Sequence, residues 1–440
     1  MTENYLRILI RHSYDLCTEM FYRIVTVFLL IFITLAAANS DAKSRKGRKR
    51  KRAPRAIPFR PAAPALEQPD SPELAGFFRR LGNLKNGIGK ESVLIIGDSH
   101  NQCEDFGQAL IEYLRDSAGI PVSGRNYAFP YPLARTGHRS SLRYGCIKKN
   151  WKGCRITNPS SSCSWGISGW MATSSADSIP FSLKCGAKDL RAGDRLGIFS
   201  PASSARAYRL FCGGKDGLKE VPYLDSLASF VTSLAEDADA LNFMAVRKDS
   251  SGDFCHQGYS REPAASGLSL GITGTNGARI DHYLLSPDFE KQLRILQPGL
   301  VMIALGTNDA FTADFSPEKT KEYLGMLLGR VRMVLPHVPV LLIGPPDHCR
   351  KRGRYNPNTE KVNQIYSEMA AELELGFWNQ QEAMGGPGSI MAWRKKGLAT
   401  PDLVHFFPGG YALQARLLGK SLRRHLEPFI RQPGIQESAE

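Results

Sequence analysis

Three stretches of this chain share one pattern, and that pattern limits the fold more than any other feature. "SVLIIGDSHNQCEDFGQAL" (Ser92–Leu110) runs through apolar, partly β-branched residues and stops at Gly-Asp-Ser. It resumes with helical spacing, with Phe106, Leu110, Tyr113 and Leu114 on one face. "LVMIALGTND" (Leu300–Asp309) and "VPVLLIGPP" (Val338–Pro346) repeat the apolar run and its glycine stop. Helices are predicted near 317–335 and 359–375, and a last one over about 409–426. Runs that are apolar throughout, rather than alternating, describe strands buried on both faces. Their alternation with helices describes a parallel sheet with helices on each side. The expected fold class is therefore α/β, a three-layer α/β/α sandwich around a central parallel sheet.

A chain of 440 residues exceeds the usual single domain, so an insertion or a second domain is expected. Residues 121–266 have the look of that insertion. They hold six of the nine cysteines, many Ser and Gly residues, and short strand-like pieces such as "RLGIFS" and "AYRLFC". The α/β domain is then expected over 71–120 and 267–430, with a flexible tail at 431–440. With 42% apolar and 22% charged residues the chain has ample material for a core.

The formal net charge is +15, but Lys43–Arg55 alone carries nine Lys/Arg and no acid, leaving +6 for the rest. That basicity belongs mainly to a segment, and no nucleic-acid partner is inferred from it. Upstream, the apolar run from Ile24 ends in small residues and reads as a signal peptide within 1–38, or as an uncleaved membrane anchor. Residues 39–70, rich in Lys/Arg, Pro and Ala, read as a disordered linker. The eight cysteines after the leader are an even set, which suits disulfides in an exported chain. Their spacing lacks paired C-x-x-C ligands, so no metal site is expected.

Ser99 ends the first strand, where open α/β sheets bind ligands, just ahead of a helix. Asp98 or Ser99 could equally serve only as that helix's cap. A serine hydroxyl becomes a useful nucleophile only beside a base. Three histidines have an acid close by: Asp281–His282, Asp347–His348 and Asp402-x-x-His405. Residues three apart share a face, which makes His405 with Asp402 the best base and partner. Gly277 in "GITGTNGAR" and Asn308 in "ALGTNDA" offer a backbone and a side-chain donor for an oxyanion. "GITGTNG" does not fit a dinucleotide fingerprint, because its spacing is wrong and no preceding strand is evident.

In that order, Gly-Asp-Ser, Asn-Gly-Ala, Gly-Thr-Asn-Asp and Asp-x-x-His resemble the motifs of the SGNH, or GDSL, hydrolase superfamily. The resemblance implies the flavodoxin-like SGNH fold, with Ser99 as nucleophile, His405 as base and Asp402 orienting it. It implies an oxyanion hole built from Ser99, Gly277 and Asn308. "GDSH", "GTNGA", the long interruption between motifs and "AMGGPGSIMAWRKKGLATPDLVHFFPGGY" resemble the bacterial peptidoglycan O-acetylesterases more narrowly. That implies an exported, periplasmic or envelope esterase acting on an O-acetylated polysaccharide without cofactor. Gly386 and Trp393 would line the sugar site, although a turn and a core tryptophan read as well. The same residues would serve a polysaccharide O-acetyltransferase, and a non-catalytic envelope-binding protein is the remaining alternative.

Overall fold

The computed structural model describes residues 58–430 apart from 138, 159–162, 186–189 and 215–216. The expected leader, most of the expected linker and the tail lie outside the described residues. Ten strands form the main sheet. Six of them are parallel, in the spatial order Val122–Ala128, Gly267–Gly274, Lys90–Gly97, Leu300–Ala304, Val340–Ile343 and Gly376–Trp378. Lys90–Gly97 lies between a strand reached on one side and the next strand reached on the other. It therefore borders the switch point where such sheets open a crevice at their carboxyl ends.

The apolar runs are explained by which face each residue serves. Val93 and Ile95 pack with Leu270, Ile272 and Met302 under the helices Pro72–Lys85, Asp105–Ala118 and Pro408–Ile430. Leu94 and Ile96 pack with Val301, Ile303 and Leu342 under Phe289–Leu296, Pro317–Val334 and Asn358–Leu373. Alternate side chains feed two cores, so the strand is apolar throughout its buried run Val93–Ile96. The predicted helices fall within a few residues of those observed.

The insertion is less separate than its composition suggests. Val122–Ala128 is a parallel strand of the main sheet, and Gly258–Glu262, Arg195–Phe199, Ser229–Ser233 and Tyr223–Leu224 extend that sheet by antiparallel pairing. The rest includes a five-stranded antiparallel sheet whose core holds Trp151, Trp170, Phe181 and Phe243. Residues 58–70 also differ from the disordered linker expected there. Ala62 N–H donates to Ala383 O at 3.0 Å, and Glu67 exchanges backbone hydrogen bonds of 2.9 and 3.1 Å with Phe377. Leu66 is buried and Phe59 meets Trp393 edge-on, so apolar anchors outweigh the Pro/Ala-rich composition.

Gly267–Gly274 is a fully buried strand where none is evident from the sequence. Its glycines concealed it, and they are there for close approach. A side chain on Gly271 would meet Asn126 and Leu94, and one on Gly274 would lie 2.3 Å from the Gln102 nitrogen.

Cysteine usage also departs from expectation. Cys154 and Cys163 form a disulfide, while Cys103, Cys146, Cys212, Cys255 and Cys349 are unbridged among the described residues. An even count is thus not a disulfide framework here. Burial pushes the Cys103 thiol up to about 12, and burial likewise raises Cys212 and Cys349 to about 11. Thiol titration should therefore be slow in the native protein and give at least five equivalents after denaturation without reductant. A yield of one or none would show further disulfides.

Candidate active site

The strand Lys90–Gly97 ends at Asp98, whose Oδ1 accepts the His100 N–H at 2.9 Å and caps the short helix Ser99–Gln102. The capping reading is thus correct for Asp98. Ser99 does something else: its Oγ lies 2.8 Å from His405 Nε2. His405 Nδ1 lies 2.7 Å from Asp402 Oδ2. With Nδ1–H donated to that carboxylate, the Nε2 lone pair faces the serine hydroxyl.

Local backbone makes this pair possible. Leu403 adopts a left-handed φ of 57°, turning the chain so that Asp402 and His405 sit side by side. Asp402 Oδ1 accepts the Val404 and His405 N–H groups at 2.9 and 3.0 Å and the Thr400 hydroxyl at 2.5 Å. Burial opposes ionisation of Asp402. The hydrogen bonds from Thr400, His405 and Val404 outweigh it and hold the carboxyl well below the usual carboxylate range. The loop is backed by Phe406, which packs edge-on against Trp393 and Tyr411.

Two further loops reach the same point. Gly277 follows the strand Gly267–Gly274, has φ +78°, and has open space where a side chain would project. Its neighbour Asn276 donates its N–H to Gln102 Oε1 at 3.0 Å. Asn308, on Thr307–Phe311, donates Nδ2 to Ala278 O at 2.9 Å and, more loosely, to Asp98 Oδ2 at 3.3 Å. Ser99, Gly277 and Asn308 are therefore carried just past three adjacent strand ends, tied together through Asn276–Gln102, Asn308–Asp98 and Asn308–Ala278.

Gly386 and Trp393 are not part of this cluster. Trp393 is fully buried, its Nε1 donating to Met384 O at 2.9 Å, and it offers no face to a sugar. It acts as core behind the His405 loop. Gly386 lines a surface groove with Glu67, Glu360, Gln364 and Pro387, none of which contacts Ser99. The turn around it is anchored by the buried Asp347, which accepts the Gly388 and Ile390 N–H groups. The other acid–histidine pairs are divided between separate tasks. Asp281 binds Arg279, and His282 accepts the Arg279 N–H. His348 is tied to Pro346 O and Asn356.

Sequence reading missed His100, Gln102 and Tyr411. His100 is buried, bonded through Nδ1 to Tyr411 OH at 3.0 Å, with its ring 5.2 Å from that of His405. Burial, reinforced by His405, keeps His100 well below the ordinary histidine range, so it is neutral packing beside the base. The only available signal was its place in "GDSH". Among the described residues no group of three His, Cys, Asp or Glu side chains is set to hold a metal.

The model of the GDSL-like lipase/acylhydrolase family matches residues 233–413, a span that takes in Gly277, Asn308, Asp402 and His405. Residues 233–413 thus form a GDSL-like lipase/acylhydrolase domain. Ser99 lies ahead of the matched span, which begins within the insertion. A solved structure of a peptidoglycan O-acetylesterase is similar over 80% of this chain and 96% of its own, with TM-score 0.62 and 22% identity. A lipase/acylhydrolase from Enterococcus faecalis matches 36% of this chain and 77% of its own at 20% identity, TM-score 0.30. An acetyl-xylooligosaccharide esterase from Geobacillus matches 36% and 73% at 18% identity, TM-score 0.29. No curated protein sequence matches this chain.

Burial pushes the Asp98 carboxyl up to about 6 from 3.8, despite the opposing His100 N–H and nearby His405. A folded-state pKa above the ordinary value means that folding favours the protonated form. That contribution is full below about pH 4 and is lost as pH rises through 6. Asp98→Asn lacks this titration. Its stability relative to the parent should therefore rise by about 2 kcal/mol between pH 4 and 7, whatever fixed cost the amide carries. Parallel melting curves that keep a constant offset across that range would refute the assignment.

Proposed function

We propose that this protein is a serine esterase that removes O-acetyl groups from an envelope polysaccharide, peptidoglycan foremost, through an acetyl-enzyme. The observation carrying the reading is the unbroken Ser99–His405–Asp402 series, at 2.8 and 2.7 Å, with Gly277 and Asn308 carried just past the two neighbouring strand ends. The substrate class is supported by likeness over most of the chain to a structure named as a peptidoglycan O-acetylesterase. Export to the periplasm or envelope belongs to the same reading and rests on the apolar N-terminal run.

In this mechanism His405 Nε2 takes the Ser99 proton as Oγ attacks the acetyl carbonyl. Asp402, firmly ionised, steadies the imidazolium that forms. The carbonyl oxygen becomes negative in the tetrahedral state. It is met by the N–H groups of Ser99 and Gly277 and by Asn308 Nδ2, whose long bond to Asp98 is the one readily exchanged. His405 then gives the Ser99 proton to the departing sugar oxygen, which leaves as a hydroxyl as the ester C–O bond breaks. Water, deprotonated by the same nitrogen, releases acetate and restores Ser99.

Acetate release by the full-length protein from O-acetylated peptidoglycan, beside O-acetylated xylan, tests the substrate. Equal or greater turnover of xylan would overturn the peptidoglycan assignment. Ser99→Ala and His405→Ala should each lose several powers of ten in rate while staying folded, with Asp402→Asn milder. Near-normal hydrolysis by Ser99→Ala would end the mechanism. Asn308→Ala should slow acylation about a hundredfold with little change in ester binding, because its donor meets charge that exists only in the transition state. A lowered melting point with unchanged single-turnover acylation would instead make Asn308 structural.

A further inference from the structure

A small basic hairpin stands beside the catalytic loop. Cys349–Arg350 pairs antiparallel with Arg354–Tyr355 around a turn in which Arg352 and Gly353 have left-handed φ values of 64° and 66°. Its base is firmly held. Cys349 N–H donates to the carbonyl of Leu403, one of the two residues between Asp402 and His405, at 2.9 Å. Arg350 donates to Asn356 Oδ1 at 3.0 Å and to Ala310 O, two residues past Asn308, at 3.4 Å. The hairpin thus bridges the loop bearing the base and the helix bearing the oxyanion donor.

Its tip is different in kind. Lys351, Arg352 and Arg354 are exposed and form no ion pair with an acid among the described residues. Exposed Tyr355 flanks them, and Phe407 stands exposed two residues past His405. Most exposed cations are solvated surface and require no partner. Here three lie within four residues, without an ion pair among the described residues, on a turn whose base is bonded to the loop bearing His405, which concentrates positive charge beside that loop.

We propose that Lys351, Arg352 and Arg354 dock the anionic part of the substrate polymer, a glycan bearing free carboxylates near its acetyl esters. The proposal rests on the O-acetylated polysaccharide reading and narrows it to acidic polymers. It predicts selectivity at the level of the polymer, with no part in the chemistry on the acetyl group.

The test compares the full chain with its K351Q/R352Q/R354Q variant, so that the basic Lys43–Arg55 segment is common to both. A second, charge-reversed K351E/R352E/R354E variant extends the series. At low salt, kcat/KM on O-acetylated peptidoglycan should fall about tenfold through KM, and further on charge reversal. Values on O-acetylated xylan and on p-nitrophenyl acetate should stay unchanged, and the effect should fade as salt is raised. Equal losses on xylan and peptidoglycan, or no loss on either, would overturn the proposal. So would variants that lose binding to anionic phospholipid vesicles while their peptidoglycan kinetics hold. Co-sedimentation of S99A, with and without the hairpin substitutions, on de-O-acetylated peptidoglycan reads docking without turnover. A deficit there supports the hairpin even if the O-acetylesterase reading fails, and equal binding there rejects it.

Discussion

The site depends on one register. Gly97 pairs with Gly274 on one side and with Ala304 on the other, so three parallel strands end level with each other. From those ends come Ser99, Gly277 and Asn308, each within a few residues. A slip of one residue in any pairing would carry its strand's apolar set to the wrong face. The two helix-packed cores therefore fix the register, and the register fixes the site. Gly274 tightens this further, since the backbone of Asp98, Asn101 and Gln102 occupies the space a side chain would need.

Electrostatics divides the same region into two environments. Beneath the serine, burial raises Asp98 to about 6 and Asp309 to about 7 and keeps His100 neutral. Asp402, half-exposed and supplied with donors, is held in the opposite direction. Four acidic or basic side chains thus lie close together with only one carboxylate strongly committed to charge, and that one is bonded to His405. The buried members act through hydrogen bonds: Asp98 to His100 N–H and Asn308, and Asp309 to the Ile280 N–H at 3.2 Å.

Much of this was legible in the sequence, for reasons that can be named. Val93–Ile96 and Leu300–Ala304 are apolar at every position, and Asp402-x-x-His405 has the spacing of a shared face. Gly267–Gly274 was not legible, because its glycines answer to contacts from strands and loops distant in sequence. Trp393 was misread since composition cannot tell a sugar-facing ring from one packed between Phe59 and Phe406. The cysteines misled through their even number, which carries no information about which sulfurs approach each other. Residues 58–70 misled through proline and charge, while Leu66 and Phe59, two anchors in a polar stretch, fix their course.

That last segment has a consequence for how the molecule meets its own copies. Gly376–Trp378 is the last strand of the main sheet, and an uncovered outer strand is a template for intermolecular pairing. Glu67 occupies the backbone groups of Phe377 that would otherwise face outward. The opposite edge, Tyr223–Leu224, is only two residues long and offers little to pair with. Residues 59–67 accordingly belong to the folded unit. A chain cut just before Ser71 would keep every residue of the relay yet carry a bare sheet edge, and its failure would be aggregation, with the chemistry left intact.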